Sequence, residues 1–327
     1  MAKRPIACTG ASFYSFYMSY ECFAVDVSDG VAEIRLNRPE SFNSMIPAFW
    51  IELPGILREL DRGSEARVIV LSSTGKHFCA GMDLAAFTGS GSNQAGGERG
   101  RQRANMRREV LELQETFNLL EKARVPVLAA VQGGAVGGAV DMITACDMRY
   151  MSADAFVCIQ EINIAITADV GTLQRLPKII PEGIARELAY TGRRMPAEEA
   201  KACGLVNEVF PDREALREGV LDVARQIASK SPLAIWGTKE MINYARDHST
   251  ADSLNYIATW QAGMFQPHDM AETFAAKRDQ REPEFGVAVE RQCCEDAGRE
   301  PAERNRDERG TMVEFTTPRP AREPEQG

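Results

Sequence analysis

Three carboxylates follow one another at short intervals in the middle of the chain. Asp141 lies in an apolar stretch after paired glycines, Glu161 follows the strand-like run AFVCIQ, and Asp169 stands eight residues later in ITADVG. Paired carboxylates are the usual groups for moving protons at carbon, and acids in apolar surroundings are costly to bury without a role. Taken singly, Asp141 could be a helix first-turn acid and Asp169 a turn residue. Together they indicate proton-transfer chemistry.

Two glycine turns could supply hydrogen-bond donors to a developing oxyanion. The segment AAVQGGAVGGAVDMITACDMRY combines a strand, a turn and a helix predicted to begin near Gly137 or Gly138. The first N–H groups of a helix point outward with the positive end of its dipole, which makes Gly138 the natural donor. A second candidate lies in KHFCAGMDL, after the run ARVIVLSS. Each turn alone is more often architectural, but their co-occurrence favours an oxyanion hole.

Other catalytic motifs are missing from the sequence. A GxGxxG fingerprint cannot be threaded through the paired glycines, and Gly75-Lys76-His77 makes no phosphate loop. The three histidines have no nucleophile elbow or HExxH around them, which argues against triad and zinc hydrolases. Asp147 stands near basic residues, so we expect it to pair with Arg149 or Arg175 in a structural role.

Composition narrows the class of protein further. The 327 residues are 44% hydrophobic and carry a net charge of −9, which excludes the basic footprint of a nucleic-acid-binding protein. The eight cysteines show no CxxC spacing, and no apolar run approaches the roughly 20 residues that span a bilayer. Neither end carries a clear targeting signal. We therefore expect a soluble, cytoplasmic protein, with mitochondria or peroxisomes as the alternative in a eukaryote.

Predicted strands and helices alternate along the chain. Alternation around Asp29-Gly30 predicts a hairpin, and helical patterns from Phe49 to Leu60 and through Val110, Leu113, Phe117 and Leu120 precede the strand-like runs 66–73 and 126–134. This order predicts an α/β architecture. The Gly/Ser-rich segment 87–103 is expected to be a surface loop, where a substrate lid or pocket mouth could lie.

The predicted elements and the composition along the chain divide it into four regions. We predict an N-terminal extension over 1–18, an α/β core over 19–211 and a helical region over 212–285. Residues 286–327 are charged and poor in large apolar side chains, so this tail is predicted to be disordered.

Four motifs together resemble the crotonase superfamily of enoyl-CoA hydratases and isomerases, over about residues 23 to 285. They are RLNRPESFNSM, KHFCAGMDL, the glycine-rich segment above, and QEINIAITADVGTLQRLPKIIPEGIARELAYTGRRMPAEEAKACGLVNEVF. The resemblance implies a spiral of ββα units, with a C-terminal helical region that builds a homotrimer, or a homohexamer of two trimers. It also implies an acyl-CoA substrate and no separate cofactor.

The resemblance assigns roles to particular residues. It places the oxyanion donors at the N–H groups of Met82 and Gly138, and the rest of the substrate-binding loop at Ala80, Gly81, Asp83 and Leu84. Hydratases carry two glutamates, which correspond here to Asp141 and Glu161, and a glycine where this chain has Asp169. An acid there, within ADVGTLQRLPK, is similar to Δ3,5-Δ2,4-dienoyl-CoA isomerases.

In that reading, Glu161 removes a proton from C2, Asp169 returns one at C6, and Asp141 is a third polar group that holds water or tunes its neighbours. The alternative is an enoyl-CoA hydratase in which Asp141 and Glu161 position water, which leaves Asp169 without a role. A noncatalytic CoA-binding or assembly protein is less favoured, because all three acids and both glycine turns are present.

Overall fold

A computed structural model describes residues 20–83 and 98–288. The predicted N-terminal extension, Leu84, residues 87–97 of the predicted loop and the tail from residue 289 onward lie outside the described residues. In this part of the chain, no helix is long and apolar enough to cross a membrane.

Six strands form the main sheet. Their order is β1-β2-β3-β4-β6-β9, and they span Phe23–Ser28, Val31–Leu36, Val68–Ser73, Val127–Val131, Met148–Ser152 and Glu208–Phe210. The first two are antiparallel and the remaining neighbours are parallel. Asp29 and Gly30 adopt positive φ angles of 51° and 77° between β1 and β2, so the predicted hairpin is confirmed.

A smaller sheet begins where the chain leaves the main one. Its strands are β5 (Gly134–Val136), β7 (Phe156–Cys158) and β8 (Met195–Pro196), in that order. Gly133 joins β4 to β5 with a φ of 56°, and a Cβ atom there would lie 2.3 Å from the Lys76 carbonyl oxygen. Only glycine allows this sharp exit, which carries the chain toward the loop after β3.

Ten α-helices occur among the described residues. They are α1 (Phe49–Arg62), α2 (Arg99–Lys122), α3 (Gly138–Thr144), α4 (Thr172–Arg175), α5 (Glu182–Thr191), α6 (Ala197–Ala202), α7 (Arg213–Ala228), α8 (Pro232–Asp247), α9 (Thr250–Met264) and α10 (Pro267–Arg278). Short 3-10 segments lie at Pro39–Ser41, Gln160–Ile164 and Leu176–Lys178. Because α2 begins at Arg99, the prediction of a loop reaching residue 103 is wrong for its last five positions.

Helices cover both faces of the main sheet. On one face, α1 buries Phe49 and Leu53 against the sheet, and α2 buries Phe117 and Leu120 in the same core. On the other face, α7 buries Leu216 and its neighbours in a second cluster with β3, β4 and β6. Burial on both faces explains why β3 and β4 read as continuous apolar runs, and it confirms the α/β prediction.

Asp147 has a structural role, but its partner differs from the prediction. Its carboxylate accepts a hydrogen bond from the Val127 N–H at 2.7 Å and pairs with Lys239 of α8 at 2.8 Å. Arg149 instead donates to backbone carbonyls, and Arg175 pairs with Glu121. The expected pairing with Arg149 or Arg175 is therefore wrong, because the cation comes from a helix about ninety residues away in sequence.

Candidate active site

The two glycine turns are joined by backbone hydrogen bonds. Cys79 donates to the Gly134 carbonyl at 3.1 Å, and Val136 donates to the Cys79 carbonyl at 3.0 Å. Gly81 follows with a φ of 86°, and a Cβ atom there would lie 2.6 Å from the Val136 carbonyl oxygen and 3.5 Å from the Gly138 nitrogen. The absence of a side chain at Gly81 thus lets the two predicted donor loops approach each other.

A second set of backbone bonds fixes the residues around Met82. Met45 donates to the Gly81 carbonyl at 2.8 Å and accepts from the Asp83 N–H at 3.1 Å, so it bridges both neighbours of Met82. Ala80 donates to the Phe42 carbonyl at 3.0 Å. The Met82 N–H takes no part in these bonds, and its orientation is fixed by the residues on either side.

Gly138 is the first residue of α3, and Gly137 sets its orientation. Gly137 adopts a φ of 57° and a ψ of −126° and donates to the Cys158 carbonyl at 2.9 Å. The N–H of the first helical residue has no intrahelical partner. It therefore remains available to a ligand beside the loop that carries Met82.

Glu161 lies against the same turn. Its 3-10 segment follows β7, and its Oε1 atom would be 3.3 Å from a Cβ atom at Gly137. The Oε2 atom is buried and has no hydrogen-bond partner among the described residues. The pKa of Glu161 is raised to about 7, mainly by burial and also by the charges of Asp141 and Asp169, against the opposing effect of a backbone hydrogen bond. A carboxyl with a pKa near neutrality and an unpartnered oxygen suits a general base.

Asp141 is fully buried within α3. Its Oδ1 atom accepts the Thr172 N–H at 2.6 Å, at the start of α4, while Oδ2 has no partner among the described residues. Burial raises the pKa of Asp141, the Thr172 N–H opposes that effect, and the charge of Asp169 adds to it. Asp141 is a first-turn acid of its helix, as the sequence allowed, but it faces the interior and caps a second helix.

Asp169 differs from the other two acids because its side chain is exposed. It lies in an irregular segment between Ala165 and Thr172, and its carbonyl oxygen accepts a hydrogen bond from Gln114 of α2 at 2.7 Å. Its charge acts on both Asp141 and Glu161. The fold therefore brings the three predicted acids together, with two buried and one open to solvent.

The structure also shows contacts that sequence reasoning missed. The Thr172 N–H donates to Asp141, Met45 forms backbone hydrogen bonds with Gly81 and Asp83, and Gln114 donates to the Asp169 carbonyl. The polar positions 114, 118 and 121, spaced as one helix face beside the apolar face, are the signal that could have revealed Gln114. No group of three or more His, Cys, Asp or Glu side chains in the described ranges is arranged to hold a metal ion.

The fold and the two joined glycine loops agree with the class of protein that comparison with known families gives. The chain belongs to the enoyl-CoA hydratase/isomerase family, whose model matches residues 26–287. An enoyl-CoA hydratase from Bacillus anthracis has a similar structure, with a TM-score of 0.72 and 33% identity over 81% of this chain and 99% of that one. The predicted α/β crotonase-type fold is confirmed.

Two relatives are more similar to this chain in sequence than the hydratase from Bacillus anthracis is. A human protein named mitochondrial Delta(3,5)-Delta(2,4)-dienoyl-CoA isomerase is 42% identical over 266 residues, 81% of either chain. An Arabidopsis thaliana protein named as the peroxisomal isomerase is 42% identical over 270 residues, 82% of this chain and 97% of its own. These relatives carry mitochondrial or peroxisomal names, which contradicts the prediction of a cytoplasmic location.

Proposed function

We propose that this enzyme is an isomerase that converts 3,5-dienoyl-CoA into 2,4-dienoyl-CoA, as the names of its relatives suggest. The observation that carries the proposal is the grouping of Asp141, Glu161 and Asp169 beside the loops of Met82 and Gly138. The substrate is an acyl-CoA, and its CoA moiety is part of the substrate rather than a separate cofactor. Proton transfer alone accounts for the reaction.

In the first step, the Glu161 carboxylate takes a proton from C2 of the thioester. The electron pair left at C2 delocalises into a dienolate, whose negative charge reaches the thioester oxygen. The N–H groups of Met82 and Gly138 donate to that oxygen, and donors fixed in advance stabilise such charge strongly. The unpartnered Oε2 atom of Glu161, next to Gly137, supports this role.

In the second step, C6 of the dienolate receives a proton and the double bonds take the 2,4 positions. C6 is four bonds from C2, so a second acid is required at that distance. We assign this role to Asp169, whose exposed carboxyl can take up a new proton from solvent after each turnover. Glu161 releases its proton before the next cycle.

The environment of Asp141 favours isomerisation over hydration. A hydratase would need Asp141 and Glu161 to hold one water molecule between them. The Oδ1 atom of Asp141 is already bound to the Thr172 N–H, which leaves only the fully buried Oδ2 atom for a water. We infer that Asp141 orders α4 and raises the pKa of Glu161, rather than holding a reacting water.

The substitution Asp169→Asn tests the proposal, because an amide keeps the size of the side chain and cannot donate an acidic proton. Dienoyl isomerisation, followed by the ultraviolet band of the conjugated product, should fall by about 10²-fold or more. Exchange of the C2 proton with deuterated solvent should persist through Glu161. Native-rate isomerisation by the variant would refute the role of Asp169, and efficient 2-enoyl hydration by the native enzyme would favour the hydratase.

We also propose that the chain assembles as a homotrimer or homohexamer. Large apolar side chains are exposed on the last three helices of the described chain, including Ile242 of α8, Leu254 of α9 and Phe274 of α10, each 64–65% exposed. Burial of such side chains between subunits would stabilise an oligomer. The separation into a core over 19–211 and an oligomerisation region over 212–285 stays a prediction.

A further inference from the structure

The backbone around Asp169 has few hydrogen bonds of its own. Residues 167–170 belong to no helix or strand. Among the described residues, the bond from Gln114 Nε2 to the Asp169 carbonyl oxygen, 2.7 Å long, is the only hydrogen bond that reaches these four positions. Ala168 and Val170, on either side of Asp169, are buried in the core, so the Gln114 bond is the polar contact that orients the peptide between them.

Gln114 belongs to a polar face of α2 that contacts both the Asp169 segment and the helix α4 that follows it. Positions 114, 118 and 121 lie on one side of a helix. Asn118 accepts a hydrogen bond from Arg175 at 2.6 Å, and Glu121 accepts two more from it at 3.1 and 3.2 Å. Arg175 in turn lies so close to Gly171 that a Cβ atom there would be 1.9 Å from its Nη1 atom.

We propose that Gln114 is a positioning residue that sets where the Asp169 carboxyl meets C6 of the substrate. The inference rests on the proposed function and extends it to a residue of α2 that bonds the Asp169 backbone rather than its carboxyl. A displacement of about 1 Å at a reacting group can reduce a rate by as much as 10²-fold. Loss of the Gln114 hydrogen bond would let the Asp169 peptide rotate between its two buried neighbours and displace the carboxyl by such an amount.

Glu161 is anchored independently of Gln114. Its carbonyl accepts the Ile166 N–H at 3.0 Å, and the adjacent Asn163 donates to the Gly192 carbonyl at 3.0 Å. Gln114 makes no hydrogen bond to this 3-10 segment. Removing the Gln114 amide should therefore impair reprotonation at C6 and leave proton removal at C2 intact.

The test compares two rates in the variant Gln114→Leu, which keeps the approximate size of the side chain and removes its donor. We expect kcat for dienoyl isomerisation to fall about 10-fold, with KM within twofold of the native value. Exchange of the C2 proton with deuterated solvent should remain near the native rate. Gln174→Leu, on the exposed side of α4 beside the same cleft, is the matched control and should change neither rate.

A second variant keeps the test informative if Gln114→Leu does not fold. Gln114→Glu keeps the length of the side chain and places an oxygen where the donor was, so it should show the same selective loss with an unchanged Tm. Parallel losses of exchange and isomerisation in folded variants, or native isomerisation rates in both, would overturn the role of Gln114 alone. A native enzyme that exchanges C2 protons but never isomerises would overturn the proposed function, and the role of Gln114 with it.

Discussion

Replacement of Glu161 by glutamine should change both activity and stability, and the size of each effect follows from burial. The structure raises the pKa of this carboxyl from its ordinary value of 4.5 to about 7, first through burial and then through Asp141 and Asp169. At about 1.4 kcal/mol for each pKa unit, the ionised form is disfavoured in the folded protein by about 3 kcal/mol. This figure is an upper value, because water screens the part of the group that is not buried.

The sign of the effect on stability follows from proton linkage. Between pH 4.5 and 7 the folded protein holds a proton on Glu161 that the unfolded chain has released. Glu161 therefore lowers the free energy of unfolding by nothing below pH 4.5. As the pH rises from 4.5 through 7, the free energy of unfolding falls, and above 7 the loss is complete. Glu161→Gln should raise the free energy of unfolding at pH 8 by up to about 3 kcal/mol, and by little at pH 4.5.

The effect on activity has the opposite direction. A general base must be ionised, so kcat/KM of the native enzyme should rise with pH and level off above about 7. Glu161→Gln should abolish most isomerisation and all exchange of the C2 proton. Urea unfolding at several pH values and spectrophotometric turnover measure the two effects.

A matched surface variant separates this effect from a general change in charge. Glu218 is exposed on α7, so Glu218→Gln should leave turnover unchanged and move the free energy of unfolding by less than about 0.5 kcal/mol. If Glu161→Gln lowers stability at pH 8, or if native activity is flat from pH 5 to 8, the reasoning from burial is wrong.

Three other outcomes are expected. Gly137→Ala should reduce turnover by about 10²-fold, because a side chain is strained at the positive φ of this residue and its methyl group would press on the Glu161 carboxyl, 3.3 Å away. Gly55→Ala, in open space on α1, should be neutral, and equal rates in the two variants would refute this. Lys239→Ala should lower the free energy of unfolding in urea by about 2–4 kcal/mol, because it removes the only cation paired with Asp147 among the described residues. A loss no larger than that of the exposed Lys201→Ala would contradict this. Sedimentation at micromolar concentration should show a trimer or hexamer, and a stable monomer would exclude that assembly.

Turn residues and the spacing of apolar side chains were enough to predict several elements of the fold. The turn residues at Asp29-Gly30 fix the first hairpin, and the apolar spacing from Phe49 predicts α1 within two residues of its observed end. The two glycine turns were recognised as turns because a positive φ or a close approach of two backbones requires glycine wherever it occurs, while their role as oxyanion donors stays a prediction. The three acids were identified for a similar reason, since each is costly within its own apolar surroundings.

Tertiary structure decided which environment each acid occupies and which residues hold it there. Asp141 is buried, Glu161 is largely buried and Asp169 is exposed, a difference that the sequence did not predict. The contacts responsible join residues far apart in the chain: Asp141 and Thr172 are 31 positions apart, and Gln114 and Asp169 are 55. Turn and helix preferences act over a few residues, whereas a carboxyl's pKa depends on whatever side chains packing brings around it, and that arrangement exists only once the chain has folded.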